Sequence, residues 1–462
     1  MFSDAALQQL KRNIRGELVR PGDPAYDTTR KVWNRMIDKR PALIVRCLST
    51  GDVIRCVELA REHGITVAVR GGGHNIGGKC ICDDGLLVDL STMKGMHVDP
   101  VRCTARAQAG LRLGEFDRET QVFGLATTMG VATDTGMAGI TLGGGYGWLD
   151  GRFGLACDNL ISAEVVTAEG KVVNASAEEN EDLLWGIRGG GGNFGIVTSF
   201  EFQLHPVGPV LGGAIFYPMT IAKQTLRFLH EFSSTCPDQI TTFLAGVPAP
   251  DGAPSVAIAL CYSGPLERGE ELLKPLRTLG PAIADIVCPR SYVEMQSLFD
   301  EMFAPGRFYY WKSSLLRDVN DGAIEVLTES TRTMPMTPGS FVYLQQLHGA
   351  ASRVGPTETA FPHRYAHYNC GAMAGWDDPA ETEKNMRWAR ECWTAMQPFF
   401  ERDAYVNDLG DEGEQRVRQA YGLNYERLVE LKQKYDPTNF FRLNQNIWPT
   451  GARASSANLS GR

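Results

Sequence analysis

The residues best placed to do chemistry sit among glycines. Gly71-Gly72-Gly73-His74-Asn75 follows the β-branched run 65–70 (ITVAVR), and Gly77 and Gly78 come soon after. A simple turn needs one glycine at most, because few turn types require positive φ. A succession of them lets backbone press against a ligand, and successive exposed N–H groups form an anion-binding nest suited to a pyrophosphate. His74 puts an imidazole inside that loop. Two more clusters, at 143–147 and 189–195, also lie in the first 200 residues, so the chemistry is expected there. Gly190-x-Gly192-x-x-Gly195 spells a dinucleotide fingerprint, which works only where a strand leads in and a helix leaves, its N-terminus meeting the pyrophosphate. Here a helix over 178–188 leads in and a strand over 195–203 leads out. A nicotinamide-type site is disfavoured; backbone contact with another dinucleotide is not.

The elements that must hold these loops read as follows. Helices are expected at 4–17 and 27–36. PALIVRCL is a strand, DVIRCVELAREHG a helix starting after Ser49 and Thr50 and ending at Gly64, and ITVAVRG a second strand. LLVDLSTM and the alternating 101–110 add strands to this first unit, and LGEFDRETQVFG is a short helix. A second unit runs from about 126 to 206, with a hairpin turning at Glu169-Gly170. HPVGP then marks a boundary, because its prolines cannot continue a strand. From about 208 to 410 aromatic-rich strands alternate with helices near 220–235, 265–277, 320–332 and 380–400. That pattern predicts one mainly antiparallel sheet covered by helices, an α+β fold. The three segments are 1–206, 207–410 and 411–462.

Composition narrows the partners. With 46 basic and 54 acidic residues the net charge is 46 − 54 = −8, interspersed along the chain, which argues against nucleic acid. No apolar run approaches the ~20 residues of a membrane span, and the N-terminus lacks the apolar segment of a secretory signal, so a cytoplasmic location is expected. Eleven cysteines are scattered. Only Cys80 and Cys82 lie close together, and a lone C-x-C pair does not predict a metal. The sequons at Asn174 and Asn458 read as chance matches.

VRGGGHNIGG, DTGMAGITLGGGYGWLDGRFGLACDNL, DLLWGIRGGGGNFGIVTSFEF and YDPTNFFRLNQNI, in that order over nearly the whole chain, resemble the vanillyl-alcohol-oxidase (PCMH-type) FAD proteins. The berberine-bridge-enzyme-like branch, with its bacterial 6-hydroxynicotine and sugar oxidases, is the most similar. The resemblance implies a PCMH-type FAD domain of two α/β subdomains, a substrate domain, and a C-terminal segment that returns to the FAD domain. It implies flavin contacts from Arg70, Gly71, Gly72, Gly73, His74, Asn75 and Gly78, with His74 bonded covalently to the isoalloxazine. Further contacts fall on Ser91, on Asp134, Thr135, Gly136 and Gly139, and on Leu142, Gly143, Gly144 and Gly147. Gly195, Ile196 and Val197, and Asn444 and Asn446 in the tail, complete the set. Thr135 takes the place of a residue that influences O2 access. A doubly linked group in this family carries a cysteine about eleven residues before the GGG cluster; here Ala132 stands there, so a single link is expected.

On the substrate side, Tyr405-Val406-Asn407-Asp408 resembles the family's Y-x-N-Y stretch, whose later tyrosine often serves as base; here that position is Asp408. Tyr405 is the first candidate for the base, with Asn407 as a binding residue and Asp408 the alternative, unless the substrate is an amine needing no strong base. Tyr309, Tyr310, Lys312 and Tyr368 are further candidates. Strand alternation puts Gln346 and His348 on one face, and His348 joins the catalytic candidates. The expected activity is removal of hydride from a C–H next to oxygen or nitrogen in a small molecule, with O2 giving H2O2. A dehydrogenase with another acceptor and a non-catalytic FAD protein are the alternatives. A monomer or homodimer is expected.

Overall fold

The structure, a computed structural model, describes residues 3–250, 252–365 and 367–451; Asn458 lies outside them. Leu43–Arg46 runs parallel to Leu86–Asp89, which in turn runs parallel to Val67–Arg70, and Glu17–Val19 adds an antiparallel edge. The helix Thr50–Glu62 connects the first two of these core strands in sequence. Ser49 caps it by accepting the Asp52 N–H, and Val53, Cys56, Val57 and Ala60, three and four apart, form its buried stripe. Gly64 then takes φ +63°, which ends the helix.

Residues 101–110 do not belong to this first sheet as expected. Met96–Asp99 and Thr104–Gln108 join Ile196–Gln203, Leu160–Val166 and Val172–Ala175 in a five-stranded antiparallel sheet. The cause is packing complementarity: Ala107 lies opposite Phe200 and Ala105 opposite Phe202, small residues against large ones, all four buried. The second unit therefore begins near residue 96, not 126. The helix expected at 27–36 shrinks to Tyr26–Thr29. The residues after it are pulled straight: the Trp33 Nε1–H donates to the Phe303 carbonyl and Asn34 Nδ2 donates to the Tyr309 carbonyl. The hairpin Leu160–Val166/Val172–Ala175 and the order helix Glu181–Ile187, glycine loop, strand Ile196–Gln203 are as expected.

The second domain is a large antiparallel sheet built from Val210–Pro218, Ile240–Pro248, Pro254–Tyr262, Phe308–Leu316, Phe341–Leu347 and His367–Trp376, with short edge strands. Helices Ala222–Thr235, Leu266–Arg277, Asp321–Arg332 and Thr382–Met396 cover one face. The other face carries Phe243, Tyr309, Phe341 and Tyr343, which share a core with Trp33, Trp148 and Leu149 of the first domain. The helix Tyr425–Tyr435 brings the chain back to the first domain. Its Lys432, fully buried, donates to Asp436 at 2.7 Å and to the carbonyls of Asn193 and Phe441. No helix among the described residues is long and apolar enough to cross a membrane.

One buried acid ties the domains together. Asp117, on the helix Leu113–Gln121, accepts from Gln296 Nε2 at 2.9 Å, on the helix Tyr292–Gln296. Asp117 Oδ1 and Gln296 Oε1 are buried with no partner among the described residues. A protonated acid donating from Oδ1 satisfies both acceptors. Burial pushes this carboxyl up to about 7, although the Gln296 bond opposes the rise. A carboxyl raised on folding gives stability that is complete below its unfolded value and declines as pH rises towards the folded value. Between about pH 4 and 7 this one group steepens the decline by up to ~1.4 kcal/mol per pH unit. Asp117→Asn, which keeps an oxygen to accept from Gln296 and cannot titrate, is expected to flatten the pH dependence of thermal melting over that range; an unchanged slope refutes the assignment.

Candidate active site

The three glycine clusters converge on one cavity of about 310 Å³ at the join of the two domains. Gly71, Gly72 and Gly73 wall it beside Gly136, Gly139 and Gly143 and, from the third cluster, Gly191, Gly192 and Gly195. Two observations show why side chains are absent. A Cβ on Gly72 would lie 2.4 Å from the Gly136 Cα, so these loops meet backbone to backbone. A Cβ on Gly139 would meet nothing within 4 Å, and because Gly139 lines the cavity it would project into the open space. A backbone-walled slot of this kind fits an extended dinucleotide such as FAD. Asn75, Thr135, Leu142, Ile196, Val197 and Asn444 also line it.

His74 lines the same cavity, stacked on Trp33 with ring centroids 5.0 Å apart. Its Nε2 lies 2.9 Å from Asp134 Oδ2, and Asp134 Oδ1 is ion-paired with Arg112. Burial, with Arg112 adding a smaller push, drives the imidazole down to about 3. The ring is therefore neutral, and Asp134 accepting the Nε2–H leaves the lone pair on Nδ1. Asp134 does not line the cavity; it reaches it only through its contact with His74.

Tyr405, Asn407 and Asp408 reach the cavity from the second domain's side. The Tyr405 oxygen accepts from the Gly145 N–H at 3.0 Å and from Asn407 Nδ2 at 2.7 Å, while Asn407 Nδ2 also donates to the Ile140 carbonyl. Burial raises the Tyr405 phenol well above its ordinary value, helped by the charge of Asp408. Its proton has no acceptor among the described residues, so it is available to a ligand. Asp408 is buried and accepts from Asn369, Ser313 and Tyr343. Burial lifts its carboxyl to about 6 against the pull of those three donors, within the range useful to a general base. Both groups therefore face the cavity, Asp408 as a carboxyl raised by burial and Tyr405 as a phenol raised well above its ordinary value.

Several expected residues lie outside the cavity. Arg70 points away, paired with Asp89 at 2.7 Å and donating to the Thr29 and Lys31 carbonyls. Ser91 gives its N–H to Asp89. Gly78 packs on Ile37, Gly144 on Phe361 and Gly147 on the Met129 carbonyl. Asn446 is not part of the wall, and its Oδ1 is buried without a partner among the described residues. His348 is displaced further, lying against Gly151. Gln346 shares its side of the strand, donating to the Ser233 carbonyl and accepting from Thr242. The strand ends at Leu347, before His348, and Gln345 on the face opposite Gln346 lines the cavity. Tyr310, Lys312 and Tyr368 are likewise off the wall, and Tyr309 stacks behind Trp33. Ala132 lines the cavity, while Cys157, the nearest cysteine to it in sequence, is buried outside it. Trp33, Lys79, Tyr146, Phe303, Trp311, Gln345 and Gln445 were missed. Of these, Tyr146 and Gln445 lay inside motifs already recognised, and Lys79 directly followed one.

Residues 41–176 match the FAD binding domain family, and residues 404–448 match the berberine and berberine-like family. An FAD-linked oxidoreductase of Dictyostelium discoideum is 32% identical over 444 residues, covering 95% of each chain. The (R)-6-hydroxynicotine oxidase of Paenarthrobacter nicotinovorans is 32% identical over 451 residues, covering 95% of this chain and 98% of its own. The crystal structure of 6-hydroxy-D-nicotine oxidase from Arthrobacter nicotinovorans superposes with a TM-score of 0.86 at 32% identity, covering 94% of this chain and 98% of that one.

Proposed function

The chain belongs to the FAD-linked oxidoreductases of the berberine-bridge-like branch, and on that premise we propose that it is an oxidase carrying FAD covalently through His74. Its substrate is a small organic molecule with a C–H bond next to oxygen or nitrogen. One observation carries the reading: a neutral, oriented imidazole and a buried carboxyl raised to about 6 share one cavity. Bound FAD supplies the two-electron acceptor for the hydride, with O2 taking the electrons to give H2O2.

The chain's own groups divide the remaining work. The glycine walls leave room for the dinucleotide, and Asn444 holds the tail against the third loop by donating to the Gly192 carbonyl at 3.0 Å. His74 Nδ1 is free to form the single link, with Asp134 and Arg112 behind it. Tyr405 offers its proton to a substrate heteroatom. Asp408 removes the substrate's O–H or N–H proton, which leaves the electron pair on that heteroatom to form the new double bond as hydride departs. The aromatic wall of Trp33, Phe303 and Trp311 supports a flat or apolar substrate body. All eleven thiols are free, which suits the reducing cytoplasm.

The link is tested by denaturing the yellow protein in acid and separating polypeptide from supernatant. Flavin is expected to remain on the wild-type chain and to leave His74→Ala completely. Flavin released from the wild type would sink the covalent assignment. Reduction by a substrate under nitrogen followed by admission of air, with peroxide assayed, tests O2 as acceptor.

A further inference from the structure

Asp408 is held along one edge only. Asn369 Nδ2 at 2.7 Å, Ser313 Oγ at 3.1 Å and Tyr343 OH at 3.1 Å all donate to Oδ2. No hydrogen bond from the described residues reaches Oδ1, and Asp408 lines the cavity. The three donors come from adjacent strands in fixed register. Ser313 and Tyr343 both pair with Gly371, and Asn369 is two residues along that same strand, so all three point to one face.

The direction of these bonds is also fixed. Trp311 Nε1 donates to the Tyr343 oxygen at 2.7 Å, and an indole N–H can only donate. The Tyr343 oxygen therefore accepts from Trp311, and its own proton is committed to Asp408. Trp311 is itself part of the cavity wall. Placing a proton on Oδ2 would force a donor to turn away into a buried setting, whereas Oδ1 carries no such cost.

We propose that Tyr343 is a positioning residue that makes Oδ1 of Asp408 the oxygen receiving the substrate's proton, and that Trp311 holds Tyr343 in that role from the cavity wall. The inference rests on Asp408 being the proton acceptor. In the step concerned the substrate's O–H or N–H bond breaks and a carboxyl O–H forms at Oδ1. The charged and titratable groups around Asp408 are Tyr405 on its own turn, Tyr146 from the second glycine loop and Tyr343 from its strand. Beyond them lies Glu412, paired with Lys312 at 3.0 Å and Arg416 at 3.5 Å, while His74 and Lys79 face the cavity. Among the causes acting on the Asp408 carboxyl, only burial and Glu412 raise it; the three donors lower it.

The test uses flavin-loaded protein and needs no substrate: the infrared carbonyl band of the protonated Asp408 carboxyl is followed against pH. The band is expected in the wild type and absent from Asp408→Asn. Tyr343→Phe, which removes one donor from the carboxylate, is expected to raise proton affinity about tenfold. Trp311→Phe should shift it the same way by less. A merely structural role for Tyr343 would lower melting temperature and leave the titration in place. A folded, flavin-loaded Tyr343→Phe that titrates like the wild type overturns the proposal, and so does an unmoved Trp311→Phe if Tyr343→Phe does not fold. Failure of the underlying reading shows in a separate assay, as full peroxide-forming turnover by Asp408→Asn.

Discussion

Asparagine in place of Asp408 is expected to lower turnover by about two to four orders of magnitude and to leave the flavin content unchanged. The side chain is nearly isosteric and keeps an oxygen for the Asn369, Ser313 and Tyr343 donors, so the site should hold its shape. What is lost is an atom able to take a proton. In the wild type, activity should fall as pH drops through about 6, because burial has raised this carboxyl to that value and protonation removes the base. The variant should retain only a residual rate without that acid limb. The measurement is peroxide release against pH with any substrate that turns over. Unchanged rates with an unchanged acid limb would assign the base elsewhere, with Tyr405 the next group to replace.

Lys432→Met should be the most damaging change far from the reacting atoms. Lys432 and Asp436 are both fully buried, and the ammonium satisfies one carboxylate and two carbonyls. Removing one partner strands a buried charge, at a cost of about 3–5 kcal/mol. The carbonyls concerned belong to Asn193, in the third glycine loop, and to Phe441, just ahead of the tail. The loss should therefore appear as a lower melting temperature and, in protein expressed at reduced temperature, as poor flavin incorporation. Wild-type melting and full flavin loading would show that the ion pair contributes nothing to the site.

Much of the first wall of the cavity was legible because its signal is local. Three glycines after a β-branched run, and a helix entering the 190–195 loop where a strand would be needed, can be read within a few residues. The resemblance extended this to Asp408, which spacing alone could not have singled out. The unread parts depend on distant pairing. Asp134 reaches His74 across 60 residues. Thr104–Gln108 finds its partner strand some ninety residues later, where Phe200 and Phe202 need small neighbours. In the second domain, alternation divides Gln345 from Gln346 but does not tell which face the helices will cover. The helices took the Gln346 side, while His348, just past the strand's end, packs against Gly151. Trp33 was hidden for a different reason: it sits in an irregular stretch held by bonds to the glycine loop about 40 residues on and to residues about 270 positions away.

The cavity wall is made from segments far apart in the chain. Residues 71–75 supply one side, and Leu443, Asn444 and Gln445 another. About 370 residues of chain separate these two segments. The pocket can close only once both segments are in place, so chains short of the cofactor are expected to carry an unsealed domain junction, the form most exposed to proteases.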